Sequence, residues 1–489
     1  MRPMEFAKRA AANKAIDYFM EDPVPRIESM MTKIDKMLPD ALFPSQRKAF
    51  AKAIEERNNW YQLLCRIAEL DPEVATGMLK CFLTEANLIA WDKQEKSREK
   101  YQCNVPWAVL LDPTSACNLH CTGCWAAEYG HKLNLSYEDI DSIINQGNEL
   151  GTHVFIYTGG EPLVRKADLI KLCDAHPDSA FLCFTNATLI DQDFVEEVAR
   201  VKNFIPIISA EGSEETTDAR RGAGTYQKID KAMDLLKARG IPFGVSICYT
   251  SQNADAVCTE EYYDWLIDKG VFFAWIFTYM PVGKDAPTSL MPTPEDRERL
   301  YRFNRRIRET KPILTLDFQH DGEFVGGCIA GGRRYLHINA NGDVEPCVFI
   351  HYSNANVREM SLLDCLHSPI FMAYYEGQPF NDNLLRPCPM LENPECIERM
   401  VEETGAHCTD LQATESAHDL AEKCRPAARE WAPVAERLWT DPDDPRAELR
   451  NRTCSGLADS DLERMKRQGR TMHAAFDPDR DKDSIFATK

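Results

Sequence analysis

The chain has 489 residues, 44 % of them hydrophobic, and a formal net charge of −20. This length is typical of two to four domains, and the hydrophobic share is enough for a large core. The acidic balance argues against a nucleic-acid partner, because phosphate binding needs a basic footprint. No apolar run approaches the roughly 20 residues that span a bilayer.

The first residues lack the apolar segment of a signal peptide. We therefore expect a cytoplasmic protein without a transmembrane segment. In that compartment its 18 cysteines are expected to be metal ligands, reactive thiols or small core residues, and not disulfides.

Residues 1–104 show helical patterns only. Asp71-Pro72 has the form of a helix start, with proline at the first helical position. We predict an all-helical N-terminal region that packs on the main domain, with a docking module for substrate or partner as the alternative. The predicted helices are Glu5–Met20, Arg26–Leu38, Ser45–Asn58, Trp60–Leu70 and Pro72–Lys96.

Strand-like and helix-like segments alternate from Trp107 to Thr310. The strands are apolar on both faces, as buried parallel strands are, and the alternation is typical of an α/β barrel or a doubly wound sheet. We predict a partial (β/α)6 TIM-type barrel over residues 105–312, with its chemistry at the carboxyl ends of the strands. The predicted strands are Trp107–Leu111, His153–Tyr157, Ala180–Phe184, Phe204–Ser209, Phe243–Tyr249 and Phe272–Tyr279.

Three cysteines follow the first strand at C-x3-C-x2-C spacing, namely Cys117, Cys121 and Cys124. Soft thiolate ligands select zinc, copper(I) or iron–sulfur clusters. Three thiolates leave one iron of a [4Fe–4S] cluster open for a ligand, whereas a structural zinc site needs a fourth ligand such as His120 or His131. The spacing favours the open iron–sulfur cluster and leaves zinc and incidental thiols as alternatives.

Gly159-Gly160-Glu161-Pro162 follows the second strand. Two glycines let backbone approach a ligand closely, and a fixed carboxylate can accept hydrogen bonds from an ammonium group. Together with the cysteine loop one strand earlier, this segment resembles the radical S-adenosylmethionine (SAM) superfamily. The resemblance implies that Gly159, Gly160, Glu161 and Pro162 hold the SAM amino group.

Two further segments resemble that superfamily. Thr185-Asn186-Ala187-Thr188 follows the third strand, and Ser209-Ala210-Glu211-Gly212 follows the fourth and leads to Arg220-Arg221. The resemblance implies SAM-binding roles for Asn186 and for Glu211, which stands where the family often has aspartate. It also implies that Ser209 lies near the ribose and Arg221 near the SAM carboxylate, which a guanidinium pairs with well. A solvated loop pair is the alternative for the two arginines.

The cysteine loop departs from the family at Gly123. The family usually has an aromatic residue before the third cysteine, and that residue lies against the adenine of SAM. Trp125, just after Cys124, is the candidate to take its place.

A second group of cysteines follows the predicted barrel. Asn341-Gly342 between two strand-like runs predicts a β-hairpin. Cys328, Gly342 and Cys347 resemble the first half of a SPASM or twitch domain, the auxiliary-cluster extension of many radical SAM enzymes. We assign residues 313–430 to a SPASM-like domain and residues 431–489 to a polar C-terminal tail without assigned chemistry.

The resemblance implies an auxiliary [4Fe–4S] cluster, although the later cysteines lie further apart than in SPASM domains. Our predicted ligands are Cys328, Cys347, Cys388 and Cys424, and either Cys396 or Cys408 is an alternative for each of the last two. A zinc site or plain thiols are the other interpretations.

The resemblance implies a radical SAM enzyme of oxidoreductase or transferase type. Its reduced cluster would cleave SAM, and the 5′-deoxyadenosyl radical would abstract hydrogen from a substrate. A low-potential donor, flavodoxin or ferredoxin, is the implied partner. The substrate is a peptide in the first hypothesis and a small or lipid-like molecule in the second, and no catalytic residue is assigned. The remote alternative is a non-catalytic zinc protein.

Overall fold

The computed structural model describes residues 3–29, 44–444, 464 and 467. The N-terminal region is helical throughout its described part, as predicted, although most of the predicted helix Arg26–Leu38 lies outside the described residues. Its helices are α1 (Pro3–Met20), α2 (Pro44–Glu56), α3 (Asn59–Cys65), α4 (Pro72–Leu79) and α5 (Ala90–Tyr101), with a π-helical segment at Lys80–Ile89.

Local signals account for the starts of these helices. The Asp71 side chain accepts hydrogen bonds from the backbone N–H groups of Glu73 and Val74, and Pro72 occupies the first helical position. In the part of the chain that the structure describes, no helix is long and apolar enough to cross a bilayer.

A nine-stranded sheet forms the centre of the molecule. The strand order is β7-β6-β5-β4-β3-β2-β1-β8-β9, and all neighbours are parallel except β8 and β9. The six predicted strands are present within two residues of their predicted bounds, and the α/β fold class with a partial barrel is confirmed. The strands are β1 (Ala108–Leu111), β2 (Val154–Tyr157), β3 (Ala180–Thr185), β4 (Phe204–Ser209), β5 (Gly244–Tyr249), β6 (Phe273–Thr278), β7 (Leu314–Asp317), β8 (Tyr335–Ile338) and β9 (Val344–Glu345).

Helices connect the parallel strands, as a parallel sheet requires. The first of them begins with a capping box in which Ser136 and Asp139 exchange side-chain and backbone hydrogen bonds. These connecting helices are α6 (Tyr137–Leu150), α7 (Lys166–Ala175), α8 (Gln192–Val201), α9 (Glu214–Arg221), α10 (Thr225–Arg239), α11 (Ala254–Val257), α12 (Glu260–Asp268) and α13 (Pro294–Thr310).

The sheet continues past the predicted barrel boundary at residue 312. Strand β8 pairs in parallel with β1, Ala108 opposite Tyr335, and antiparallel with β9, His337 opposite Glu345. The predicted Asn341-Gly342 hairpin is therefore present, and it extends the barrel sheet beside the strand that precedes the cysteine loop. Because of this pairing, the second cysteine group begins on the same sheet as the first.

The remaining chain wraps the hairpin. The predicted boundary at 430/431 lies inside the last helix, where Trp431 is fully buried and its indole N–H donates to the Leu385 carbonyl at 3.0 Å. The folded part therefore extends beyond the predicted start of the tail. The elements are α14 (Gly322–Val325), β10 (Tyr352–Ser353), α15 (Leu362–Leu366), α16 (Pro369–Gly377), α17 (Pro394–Thr404), β11 (His407–Cys408) and α18 (Ala417–Trp439).

Candidate active site

A cavity of about 220 Å³ lies inside the curled sheet and opens at the carboxyl ends of its strands. Residues from strands β1 to β6 and from β8 line it, so the sheet encloses the cavity as a barrel does. Most of the site residues predicted from the sequence share this wall. They are Cys117, Cys121, Cys124, Gly159, Gly160, Glu161, Asn186, Ser209 and Arg221.

The neighbouring loops hold the cysteine loop in place. Thr122 N–H donates to the Arg220 carbonyl at 2.9 Å. The Asn118 side chain donates to the Thr188 hydroxyl and accepts from the Asn186 amide, both at 2.8 Å. Asn186 therefore lies in the cavity wall and also connects the loop after β3 to the cysteines.

The cysteines of this loop are half-buried. Burial raises the pKa of Cys117 to about 11 and also raises that of Cys124, although Arg220 and Arg221 act in the opposite direction on Cys124. Thiolate ligands at these positions would be stabilised by the positive charge of a bound metal centre. Backbone N–H groups already point at two of the sulfurs, from Leu119 to Cys117 at 3.4 Å and from Ala126 to Cys124.

The loop lacks the geometry of a mononuclear metal site. Within the described ranges, no three histidine, cysteine or acidic side chains are grouped so as to hold one metal ion. A cubane does not require such convergence, because each thiolate binds a different iron. The arrangement therefore fits a cluster better than a single zinc ion.

The two glycines after β2 bring main chain close to the cysteine loop. A Cβ built on Gly160 would lie 2.2 Å from the Ala116 carbonyl oxygen, and Gly159 has a φ of +100°. Any side chain at position 160 would push the two loops apart. The glycines therefore allow close backbone approach, as predicted for a segment that cradles a ligand.

Glu161 has a more structural position than we predicted. Its carboxylate is 1 % exposed and accepts hydrogen bonds from the Leu163 and Asn186 N–H groups and from the Thr185 hydroxyl, at 2.7–3.0 Å. Burial raises the pKa of Glu161 above its ordinary value, although these hydrogen bonds act in the opposite direction. The carboxylate joins the loops after β2 and β3, so the segment presents mainly backbone to a ligand.

Glu211, Arg220 and Arg221 form a buried ion-pair group behind the cysteine loop. Both guanidinium groups donate to the Glu211 carboxylate, at 2.8 Å from Arg220 and 2.5–2.8 Å from Arg221. Burial alone would raise the pKa of Glu211, but the two arginines hold it below its ordinary value. The two arginines are therefore not a solvated pair, and Arg221 also lies 3.9 Å from the Cys121 sulfur.

Three buried polar atoms on the cavity wall have no hydrogen-bond partner within the described ranges. They are Arg220 Nε, the Thr278 hydroxyl and the Tyr279 hydroxyl. Buried polar groups are normally paired, so these atoms indicate a polar ligand in the cavity. Together with the thiols and the glycine backbone, the wall fits a [4Fe–4S] cluster with SAM.

Trp125 lines the cavity and also packs on the hairpin that follows the barrel. Its ring packs edge-on against His337 at 5.5 Å, His351 at 6.0 Å and Phe349 at 6.4 Å between centroids. All three partners lie on or just after the β8–β9 hairpin. Trp125 thus connects the cysteine loop to the hairpin.

His337 is a junction residue that sequence reasoning missed. Its imidazole is fully buried and bridges Asp112, at 2.9 Å, and Glu345, at 2.6 Å. Burial lowers its pKa, but the two carboxylates outweigh this and raise it to about 10. The charged imidazole therefore links the end of β1 to β9, and no local pattern could have shown a contact between residues so far apart in the chain.

Four cysteines of the second group influence one buried tyrosine, Tyr374. After burial, the largest influences that raise the pKa of Tyr374 are the thiols of Cys328, Cys347, Cys388 and Cys396. The Tyr374 hydroxyl is fully buried and has no hydrogen-bond partner among the described residues. An unpartnered hydroxyl facing several thiols fits a site for an auxiliary cluster.

The same backbone pattern recurs at the predicted auxiliary ligands. The N–H group two residues later donates to the sulfur, from Phe349 to Cys347 at 3.5 Å and from Met390 to Cys388 at 3.4 Å, and Ala330 does so for Cys328. Such N–H···S bonds are among the contacts that set cluster potentials. Sequence spacing showed the cysteines but not this shared geometry.

Cys424, the fourth predicted auxiliary ligand, is not among the groups with the largest influence on Tyr374. Cys424 is fully buried on α18, and the charged groups that influence it are Lys423, Glu415 and Glu392, with no cysteine among them. Cys408 lies on β11 beside Asp410. Cys396, which we kept as an alternative, is the remaining cysteine near Tyr374. Another cysteine, Cys248, also lines the cavity.

Comparison with known protein families matches two regions of the chain. The model of the radical SAM superfamily matches residues 111–257. The model of SPASM, an iron–sulfur cluster-binding domain, matches residues 328–396. These models cover both cysteine groups and imply [4Fe–4S] clusters and SAM binding.

Several characterised proteins are similar to parts of the chain. The AdoMet-dependent heme synthase of Methanosarcina barkeri is 22 % identical over 286 residues, which cover 52 % of this chain and 80 % of that protein. The PqqA peptide cyclase of Xanthomonas oryzae pv. oryzae is 24 % identical over 366 residues, which cover 68 % of this chain and 91 % of the cyclase.

A solved structure, Streptococcus suis SuiB, resembles the chain with a TM-score of 0.48 and 20 % identity, over 57 % of this chain and 71 % of SuiB. The family matches confirm the prediction of a radical SAM enzyme over the zinc-protein alternative. The chain carries a radical SAM domain over residues 111–257 and a SPASM iron–sulfur domain over residues 328–396.

Proposed function

We propose that this enzyme cleaves SAM reductively and abstracts a hydrogen atom from its substrate. The observation that carries the proposal is the shared cavity wall, where Cys117, Cys121 and Cys124 face the Gly159–Gly160 backbone and the Arg220–Arg221 pair. Thiolate ligands, close backbone and guanidinium groups are the donors that a cluster with a chelating amino acid needs.

The cofactor supplies the difficult chemistry, namely one-electron cleavage of SAM at a reduced [4Fe–4S] cluster. The chain's own residues would bind SAM and orient it. The Gly159–Pro162 segment would hold the SAM amino group through its backbone, Arg221 would pair with the carboxylate, and Ser209 would contact the ribose. Glu211 holds Arg221 in position by accepting two of its hydrogen bonds.

The second cluster site supports an auxiliary [4Fe–4S] cluster. We propose Cys328, Cys347 and Cys388 as ligands, because all three receive an N–H···S bond and all three influence Tyr374. We propose Cys396 as the fourth ligand in place of Cys424, because Cys396 also influences Tyr374. A flavodoxin or ferredoxin is the proposed electron donor, because the cluster must be reduced at low potential.

A peptide is the first substrate candidate. The similarity to a PqqA peptide cyclase extends over 68 % of this chain and therefore over more than the radical SAM domain. The N-terminal helical region would then be the place to look for peptide docking.

A small apolar molecule is the second candidate, and one structural observation favours it. The cavity carries a group of aromatic rings, in which Phe277 lies 5.0 Å from Phe318 and 6.1 Å from Phe349 between centroids. Aromatic walls with few polar groups are typical of pockets for apolar ligands. The similarity to AdoMet-dependent heme synthases points in the same direction.

The decisive experiment is the production of 5′-deoxyadenosine from SAM by anaerobically reconstituted protein under reductant. We expect production by the wild type and none by Cys121→Ala, with Cys173→Ala, a buried cysteine outside both groups, as the matched control. A wild type that binds zinc, shows no iron–sulfur absorbance and makes no 5′-deoxyadenosine contradicts the proposal.

The same assay separates the two substrate candidates. Addition of a candidate peptide or of an iron porphyrin should raise 5′-deoxyadenosine production above the rate without substrate for one class only. A peptide that binds to residues 1–104 of the full-length protein should protect side chains in this region from chemical crosslinking. Such protection would favour the peptide candidate.

A further inference from the structure

Gly123 leaves a gap in the cysteine loop that another part of the chain fills. A Cβ built on Gly123 would lie 2.7 Å from Cε2 and 2.9 Å from the hydroxyl of Tyr279. The φ of Gly123 is +66°, in the left-handed region that favours glycine. The Tyr279 ring therefore stands where a side chain at position 123 would begin.

Tyr279 directly follows β6 and is turned toward the cavity. Its backbone N–H donates to the Tyr249 carbonyl at 2.8 Å, which fixes the start of the side chain. The residue is 3 % exposed and lines the cavity beside Cys121, Gly123 and Cys124.

The hydroxyl of Tyr279 is a donor without an acceptor. It is buried and has no partner among the described residues. Burial and then the nearby Cys248 thiol raise the pKa of Tyr279, so the group stays protonated at neutral pH. A ligand with a hydrogen-bond acceptor beside the cysteine loop would satisfy it.

SAM meets these requirements, since its adenine has a flat face on which the tyrosine ring can stack and its ribose has oxygens that can accept from the hydroxyl. On the basis of the proposed function, we infer that Tyr279 forms the aromatic wall against the adenine of SAM, in place of a side chain at position 123. Trp125 also lines this cavity, but its ring packs against His337 and Phe349, whereas the Tyr279 ring is the aromatic group that abuts Gly123.

Equilibrium binding of SAM to the reconstituted enzyme tests this assignment. Tyr279→Leu removes the aromatic face and should raise the Kd for SAM roughly 5- to 150-fold, as loss of one base-stacking partner does. Tyr279→Phe keeps the face and loses the hydroxyl, so we expect a rise of about two- to tenfold.

Binding of a second ligand shows which part of SAM the Tyr279 variants affect. The Kd of 5′-deoxyadenosine, measured with L-methionine present, should rise by the same factor as that of SAM, because the adenine is common to both. Tyr226→Leu is the matched control, since this tyrosine stacks on Trp265 outside the cavity, and it should leave both values within twofold of the wild type.

The outcomes distinguish the two proposals. A wild type that does not bind SAM overturns the proposed function and this inference together, whereas binding without 5′-deoxyadenosine production overturns only the function. If Tyr279→Leu binds SAM within twofold of the wild type, or weakens SAM but not 5′-deoxyadenosine, the inference is wrong. Iron content checks folding, and Tyr279→Met replaces a leucine variant that fails to take up iron.

Discussion

The two cysteine groups of this enzyme are assembled in different ways. Cys117, Cys121 and Cys124 lie on one loop, and their spacing alone indicated an open iron–sulfur site. Cys328 and Cys347 flank a hairpin, and Cys388 precedes a separate helix, so only the fold brings them near Tyr374. The comparison teaches that spacing identifies a site whose ligands are local and leaves open a site whose ligands come from several elements.

Both cysteine groups are nevertheless attached to strands of the same sheet. Strand β8 pairs with β1, His337 bridges Asp112 and Glu345, and Trp125 packs against Phe349. Each of these contacts joins the cysteine loop to the hairpin. We therefore expect cysteine substitutions to remove the chemistry of one group without that of the other. A substitution at the junction between the groups should destabilise both regions.

The largest effect is expected for the first group. Replacement of Cys117, Cys121 and Cys124 by alanine should lower 5′-deoxyadenosine formation by roughly 1000-fold or more, because the open iron is lost. About four iron atoms per chain should remain, the content of one cubane. Residual iron near zero would contradict an independent auxiliary cluster.

Substitution of a cysteine in the second group should lower the iron content of the protein. We expect Cys388→Ala and Cys396→Ala each to lose about four iron atoms per chain, while Cys424→Ala loses none because Cys424 lies among charged residues of another helix region. Iron analysis and electron paramagnetic resonance measure this. Iron loss from Cys424→Ala with full iron in Cys396→Ala would restore our first ligand assignment.

Substitution of His337, at the junction of the two cysteine regions, should lower the stability of the fold. His337→Leu leaves the carboxylates of Asp112 and Glu345 buried without their cation, and loss of one partner of a buried ion pair costs about 3–5 kcal/mol of the free energy of unfolding. Denaturant unfolding of the metal-free chain measures the difference. His176→Leu is the control, because that histidine has a single carboxylate partner, the partly exposed Asp141, and a smaller loss is expected there.

A smaller effect is the pH dependence of the same junction. The pKa of His337 is raised to about 10, so its contribution to stability is complete below the ordinary histidine pKa of about 6.5 and is lost as pH rises through about 10. The wild type should therefore lose more stability than His337→Gln between pH 7 and pH 10. Parallel pH profiles of the two proteins would show that the imidazolium bridge does not contribute.

Much of the fold was predictable because its signals are local. The capping pair Ser136 and Asp139, the Asp71-Pro72 helix start and the apolar strands each depend on neighbours in the chain. The boundary at 430/431 was misplaced because the polar composition after Trp431 did not reveal that its helix packs into the core.

The candidate site divides in the same way. The cysteine loop and Gly159–Pro162 were predicted, since their chemistry follows from residue type and spacing. The structural role of the Glu161 carboxylate, the burial of Arg220 and Arg221 around Glu211, and the position of Cys248 in the cavity depend on contacts between strands. No sequence pattern contains those distances.

The sequence by itself determined the family, the six β/α units and the thiolate loop, because each is a pattern of neighbouring residues. Only the tertiary structure decided which aromatic residue stands beside Gly123, which cysteines surround Tyr374 and how His337 joins the two cysteine regions. The physical reason is that parallel strands bring distant segments to one edge of the sheet, where burial and charge select the partners.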